Sequence, residues 1–388
     1  MSGQAAADRP GSQGALRRAN RARILGELRR GRTPTQADLA RETGLAPATV
    51  SNIVRDLLRD GMVAVDDSGG RRILRLSPAG SGLAASIDYG HRHVMVALAD
   101  AEARIIAERR ADLAQDLPAE QGLAVAARLL HEVLAEAGAD LGSLAGIGMG
   151  LPAPIDSRTG TVGSPTILPG WVGLPAATLA GAAFGRPVTV DNDANLGALA
   201  ELRWGCGAGT ANLAYLKLSE GVGAGLIVDG RLFRGPNGTA GEIGHTTVDE
   251  FGALCRCGNR GCLETVVAAR RVVDLLRPVV GRELSIGEVV AAARSGDRAC
   301  ARAIGDTGLQ VGRAVADLCN LVNPEMIIVG GELAQAGDLL LAPMRQVIAR
   351  CGVPSAVDGI RLTTATLGAR AHVLGGITLA FESAAALG

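Results

Sequence analysis

The amino-acid sequence predicts an α/β protein in two parts: a small N-terminal winged helix-turn-helix over residues 16–80, and a large α/β body with more than one sheet over residues 84–388. Two observations carry this reading. Up to Leu58 the apolar residues recur at the steps of three and four that mark amphipathic helices. From Leu83 onward, short aliphatic runs alternate with helical stretches and Gly-rich turns. Charge divides the chain at the same place. Residues 1–80 contain 14 Arg, no Lys and 8 Asp plus Glu, a balance of about +6; the chain as a whole sums to zero, so the remainder carries about −6. A basic module on an acidic body points to nucleic-acid contact at one end.

Residues 1–15 are small, polar and Gly- and Pro-containing, the composition of a disordered tail. Between Asn20 and Arg30, the apolar face of Ile24, Leu25 and Leu28 gives a short amphipathic helix. Thr35 then caps a second helix, with Asp38 in its first turn, that ends at Gly44. A third helix begins near Pro47, where proline suits the first turn, and buries Val50, Ile53, Val54, Leu57 and Leu58. Ala40, Gly44 and Val50 supply the small contact residue, the left-handed turn residue and the branched anchor that a helix-turn-helix needs. On the outer face of the third helix lie Thr49, Ser51, Asn52 and Arg55, suited to base edges and phosphates in a major groove. Residues 62–65 and 73–76 read as the strands of a wing with Arg71 and Arg72 beside its turn, completing the candidate DNA-binding set. Ser77 to Gly82 reads as a linker.

In the body, strands are predicted over 84–87, 94–99, 147–151, 188–190, 213–218, 225–228 and 326–329, with a helix over 123–137. The chain is 47% hydrophobic and 2% aromatic, which fits aliphatic cores and excludes an aromatic platform for single-stranded nucleic acid. The N-terminus is polar and arginine-rich without an apolar signal segment, and no run approaches the ~20 apolar residues of a membrane span, so a cytoplasmic protein is expected.

The densest chemistry lies between Glu242 and Glu264. His245, Cys255, Cys257 and Cys262 offer three thiolates and an imidazole, the closed tetrahedral set preferred by structural zinc. Three cysteines within eight residues, interleaved with glycines, seldom arise from packing, whereas Cys206, Cys300, Cys319 and Cys351 read as small buried hydrophobes. In a reducing compartment clustered cysteines are a metal site rather than disulfides. Glu242 and Glu264 are not needed for the metal and remain free to accept hydrogen bonds from a small ligand.

The run Glu-Ile-Gly-His followed by Cys-x-Cys-Gly-x-x-Gly-Cys-x-Glu resembles the signature of the ROK family of repressors, open reading frames and sugar kinases. Leu168-Pro-Gly-Trp171, Asp191-Asn-Asp-Ala-Asn195, Gly221-Val-Gly-Ala-Gly225 and Asn323-Pro-Glu-Met-Ile-Ile-Val-Gly-Gly331 agree, so the resemblance covers residues 84 to about 385. It implies an actin-like, ribonuclease H-like sugar-kinase fold with two α/β lobes and a cleft between them. It also implies that sugar hydroxyls are bound by Asn192, Asp193, Glu242, His245 and Glu264, with Asp193 matching the general base of the kinases. His245 would use one ring nitrogen for zinc and the other for a hydroxyl.

Phosphoryl transfer is largely positioning and charge stabilisation, so the loops that hold ATP phosphates must be intact. Kinases of this family open the first lobe with Asp-x-Gly-Gly-Thr. The matching segment here is Asp88-Tyr-Gly-His-Arg-His93, in which His91 and Arg92 add bulk where bare backbone is needed. The second phosphate loop, usually Gly-Thr-Gly, is Ser219-Glu220-Gly221, with a carboxylate facing polyanionic phosphates. The expectation is therefore a sugar-responsive DNA-binding transcriptional regulator, a repressor of carbohydrate uptake or metabolism genes. In it no catalytic residue is in use and Asp193 is a vestigial base. Its partners would be double-stranded operator DNA, a sugar effector and further copies of itself, as a homodimer or tetramer, because one winged helix buries little DNA. Its cofactor would be a structural Zn2+. The competing expectation is an active ATP-dependent hexose kinase carrying an appended DNA-binding module.

Overall fold

The computed structural model describes all residues except 1–12, 30–33, 60–62, 67–71, 77–81, 115–116, 157, 164–167 and 388. The first helix, α1 (Gln13–Arg29), starts seven residues before the expected Asn20 and takes Gln13, Gly14 and Ala15 out of the anticipated tail. The early start has a physical cause. Ala15, Leu16, Arg17 and Arg18 all favour helix, and Arg17 forms an ion pair with Asp56 on the third helix that anchors the added turns. The rest of the tail, residues 1–12, and most of the linker, residues 77–81, lie outside the described residues.

Thr35 caps α2 (Gln36–Thr43) in a reciprocal capping box with Asp38, and Gly44 ends it in the left-handed conformation at φ +67°. Helix α3 (Pro47–Arg59) follows after a three-residue turn, Gly44 to Ala46. Ile24, Leu25, Leu39, Val50, Val54 and Leu57 are fully buried between the three helices. Strands β1 (Val63–Asp66) and β2 (Ile73–Leu76) pair antiparallel as the wing, and Val63 and Leu74 extend the same core.

The body repeats one architecture twice. In the first lobe, β3 (Leu83–Tyr89), β4 (His93–Ala99), β5 (Ile105–Asp112), β6 (Leu144–Leu151) and β7 (Val188–Asn192) form a sheet of order β5-β4-β3-β6-β7. Its first three strands are antiparallel neighbours, and β6 and β7 are added in parallel through crossovers. Helices α4 (Ala119–Glu136) and α5 (Ala176–Phe184) cover one face. Trp171 of the Leu-Pro-Gly-Trp motif is fully buried there, edge-on to Tyr89 with ring centroids 5.2 Å apart, and so belongs to the core.

Helix α6 (Asp193–Trp204) leads into the second lobe. There β8 (Leu213–Leu218), β9 (Val222–Val228), β10 (Arg231–Phe233), β11 (Met326–Gly330) and β12 (Arg361–Thr364) take the matching order β10-β9-β8-β11-β12. Helices α7 (Ala269–Val280), α8 (Ile286–Arg294), α9 (Arg298–Val322) and α10 (Asp338–Cys351) pack on this sheet. The final helix, α11 (Ala371–Leu387), returns to the first lobe. A Cβ added at Gly375 would lie 2.0 Å from the Leu196 carbonyl oxygen, and one at Gly376 would lie 2.1 Å from Ser86 Oγ. Glycine at these two positions therefore lets α11 press its backbone onto α6 and β3, which fixes the helix that begins with Asp193. Among the described residues no helix is long and apolar enough to cross a membrane.

Candidate functional site

The switch from β7 to α6 delivers Asn192 and Asp193 together, because the strand ends on the residue that caps the helix. Asn192 Oδ1 accepts from the backbone N–H groups of Ala194 and Asn195 at 2.9 and 3.4 Å. Its Nδ2 donates to the Ala153 carbonyl at 3.2 Å. Asp193 is buried and forms an ion pair with the half-buried Lys217 ammonium on β8. Burial works against the charge on Lys217, but the adjacent carboxylate outweighs it and holds the ammonium above its ordinary range.

Facing this pair, the second-lobe segment from Glu242 to Glu264 folds back on itself. Val248 N–H donates to the Gly261 carbonyl at 2.8 Å and Leu263 N–H to that of Thr246 at 2.9 Å. Buried Glu264 binds two elements at once: Oε2 accepts from the Val222 N–H at 3.0 Å and Oε1 from Arg256 Nε at 3.2 Å. Glu242 lies with Oε2 3.8 Å from His245 Nε2. Burial, with Asp193 and Glu264 nearby, pushes its carboxyl up to about 7.

The other ring nitrogen of His245 faces the thiols. Nδ1 lies 3.6 Å from Cys255 Sγ, and Cys257 Sγ lies 3.7 Å from Cys262 Sγ. The four donor atoms all fall within 4.8 Å of one another, so His245, Cys255, Cys257 and Cys262 can hold a metal ion. Burial lowers the His245 pKa, which favours the neutral imidazole that a metal requires. Of the remaining cysteines, Cys300 and Cys319 are buried as expected, Cys206 is half-buried against Glu201, and Cys351 is exposed instead.

Asn192, Asp193, Glu242, His245 and Glu264 all line one space of ≈400 Å³, open to solvent between the lobes. The chain also brings in Lys217, Arg256 and His91, which sequence reasoning did not place among the ligand contacts. His91 could have been found, since it occupies the tip of the altered first-lobe turn; nothing in the sequence pointed to Lys217. Burial, with Arg256 and Lys217 nearby, pushes the His91 imidazole down to about 4, so it enters the space uncharged. A larger cleft of ≈2220 Å³ adjoins, walled by His91, Arg92, Glu220, Arg256, Glu332 and the start of α7. Glu220 is exposed there. Water therefore screens its charge, which weakens the electrostatic argument against phosphates and leaves the steric one at His91 and Arg92.

In the N-terminal module, Ser51, Asn52 and Arg55 are exposed on α3 and Thr49 is half-buried. Arg55 Nη2 donates to Asn52 Oδ1 at 2.7 Å. Arg72 is exposed beside β2, while Arg71 lies outside the described residues.

Comparison with known proteins places both parts. Residues 17–73 match the MarR family and residues 84–383 the ROK family. A xylose repressor of Caldicellulosiruptor bescii is 30% identical over 95% of this chain and 97% of its own length. A glucokinase of Halalkalibacterium halodurans is 37% identical over 60% of this chain and 75% of its own. Among solved structures, a ROK family transcriptional regulator described as a homolog of the E. coli MLC protein superposes with a TM-score of 0.82 at 26% identity, covering 96% of this chain and 97% of that one. With the ROK match spanning most of the chain and a MarR-type winged helix ahead of it, the chain belongs to the ROK family.

Proposed function

We propose that this protein is a sugar-responsive DNA-binding repressor that acts in the cytoplasm on carbohydrate genes. The observation that carries the reading is the union, in one chain, of a winged helix with an exposed polar face and a two-lobed body whose cleft gathers five polar side chains suited to hydroxyls. A relative similar along nearly the whole chain is named a repressor, which supports the same reading. The DNA contacts are Thr49, Ser51, Asn52 and Arg55 with Arg71 and Arg72 of the wing, and the sugar contacts are Asn192, Asp193, Glu242, His245 and Glu264. A second copy of the chain completes a two-fold operator-binding unit. Sugar acts by favouring one arrangement of the lobes over another, and shifts operator affinity only as far as its affinities for the two arrangements differ.

The metal that suits the thiolate–imidazole set is zinc. Zn–S bonds of about 2.3 Å and a Zn–N bond of about 2.0 Å in a tetrahedron require S···S near ~3.8 Å and S···N near ~3.5 Å. Cys257 Sγ and Cys262 Sγ lie 3.7 Å apart and Cys255 Sγ and His245 Nδ1 3.6 Å, with all four donors within 4.8 Å of one another. Four protein ligands leave no open position for activating water, so the ion is structural: it fixes the loop and the His245 ring, with Nε2 turned toward Glu242.

The same cleft supports a second reading, an ATP-dependent sugar kinase, because Asp193 is retained and a glucokinase is 37% identical over much of the body. Against it stand His91 and Arg92 at the first phosphate turn and the Lys217 ammonium on Asp193. One pair of assays separates the two. Operator binding by fluorescence anisotropy across a panel of sugars should change with one of them, while a coupled assay with the same sugars and ATP should show no turnover. Turnover abolished by Asp193→Asn would overturn the non-enzymatic reading.

A further inference from the structure

Lys217 is the single lysine of the chain; the other 38 of its 39 basic side chains are arginine. It stands on β8 with its side chain 15% exposed, in the wall of the cleft between the lobes. Among the described residues its ammonium has one partner, Asp193 Oδ2, although it carries three N–H donors. The second Asp193 oxygen likewise has no partner among the described residues. The pair therefore presents two unused donors and an unused acceptor, side by side, to the same small space.

We propose that Lys217 is the specificity-determining residue of this cleft: together with Asp193 it holds one sugar hydroxyl from two sides, the hydroxyl donating to Asp193 and accepting from Lys217. The inference rests on the sugar-binding reading above. It explains why lysine persists in a chain that uses arginine at every other basic position. A compact ammonium on a thin stem can share one carboxylate with an incoming hydroxyl, whereas a planar guanidinium of five fixed donors would fill the space or cover both carboxylate oxygens.

Two consequences follow from charge. A general base must take up the proton it removes, and an ammonium already bound to the same carboxylate opposes that neutralisation. Asp193 thus accepts the hydroxyl's hydrogen bond and leaves its proton in place. The remaining charges are also accounted for in pairs, Asp193 with Lys217 and Glu264 with Arg256, while the Glu242 side chain has no hydrogen-bond partner among the described residues. Neither cation is left unmatched for the negative charge of a phosphate group. The cleft is suited to an uncharged sugar, not to its phosphate ester.

The sole lysine makes the test direct. The full chain is titrated by calorimetry with D-glucose, D-xylose, N-acetyl-D-glucosamine and D-glucose 6-phosphate. In parallel, Lys217 is acetylated with an N-hydroxysuccinimide ester with and without each sugar and followed by mass spectrometry. An uncharged sugar should bind, slow acetylation of Lys217 at least tenfold, and bind at least tenfold more tightly than the phosphate ester. Lys217→Met and Lys217→Arg should each weaken that binding at least tenfold. The double variant Asp193→Asn with Lys217→Met removes both charges, so it guards against a misfolded single variant, and it should bind no better. If none of the four ligands binds, the sugar-pocket reading fails and this inference with it. If a sugar binds but Lys217→Met matches the unmodified chain, or acetylation proceeds unchanged, the role given to Lys217 is wrong while the sugar reading stands. Equal affinity for the phosphate ester would refute the charge argument.

Discussion

Glu264 joins the metal loop, the start of β9 and the sugar cleft, and its two tasks can be separated by two substitutions. Glu264→Ala removes the acceptor of the buried Val222 N–H, which lies 3.0 Å from Oε2. An unsatisfied buried donor costs about 1–3 kcal/mol. It also removes the partner of Arg256, whose side chain is 36% exposed. Solvent screening limits that loss to roughly 0–1 kcal/mol. Together these span about 1–4 kcal/mol, and the midpoint of about 2.5 kcal/mol corresponds to roughly 5–10 °C in melting temperature at about 2–4 °C per kcal/mol. Glu264→Gln keeps an oxygen for Val222 and should lower the melting temperature by no more than about 2 °C. Its effect on sugar should nonetheless be large. A hydrogen bond to a charged group is worth about 1.5 kcal/mol or more, so affinity should fall roughly tenfold in both variants. Differential scanning fluorimetry and calorimetric titration with the bound sugar measure the two effects. If Gln melts as low as Ala, the Val222 hydrogen bond is not what Glu264 contributes; if Gln binds sugar as well as Glu, the residue is scaffold alone.

Three further outcomes are expected. Cys257→Ser, or removal of the metal with a chelator, should weaken the sugar response before operator affinity, because the loop carries His245 but no part of the winged helix; zinc release followed colorimetrically beside anisotropy decides the order. Asn192→Ala should lower stability by about 1 kcal/mol through loss of the α6 cap, whereas Asn192→Ser, which can still accept from Ala194 N–H, should recover most of the melting temperature. Arg55→Ala should reduce operator affinity and make the slope of log affinity against log salt shallower by about one unit, with sugar binding measured calorimetrically left as it was.

The helix-turn-helix was legible in the sequence because its signals are local. Thr35 with Asp38, Gly44, Pro47 and the apolar steps from Val50 to Leu57 each act within one turn of helix, and all take the places they predict. The start of α1 was not legible, since the Arg17–Asp56 ion pair that steadies it spans 39 residues. In the body, strand cores were read correctly but their ends fell short. Thus β3 runs from Leu83 to Tyr89 and β9 begins at Val222, where predicted strands began at 84 and 225. Pairing with neighbours extends a strand beyond its apolar run. The edge strands β5, β10 and β12 escaped notice: the outer half of β5, Glu-Arg-Arg-Ala-Asp, is polar, β10 is three residues long, and β12 reads Arg-Leu-Thr-Thr. The four donors that can hold a metal were visible as a cluster because they lie within one short segment. Lys217 was not, because its separation of 24 positions from Asp193 is bridged by fold and not by motif.

That long-range pairing also changes what the five predicted sugar contacts can be. Asn192 spends its carbonyl oxygen on two backbone donors and one amide hydrogen on Ala153, so its first task is to cap α6 and hold Asp193 in place. Glu264 has one bond on each oxygen, so a hydroxyl must share them. His245 has one nitrogen toward the thiols and one toward Glu242. Glu242, His245 Nε2 and the Asp193–Lys217 pair keep polar atoms without hydrogen bonds among the described residues; Asp193 follows the last strand of the first lobe, whereas Lys217, Glu242 and His245 belong to the second. A ligand that satisfies all of them reaches from the end of β7 to the second lobe. A difference in its affinity for two lobe arrangements would therefore arise where Asp193 moves relative to the second-lobe side chains, while Asn192 and Glu264 hold those groups in place.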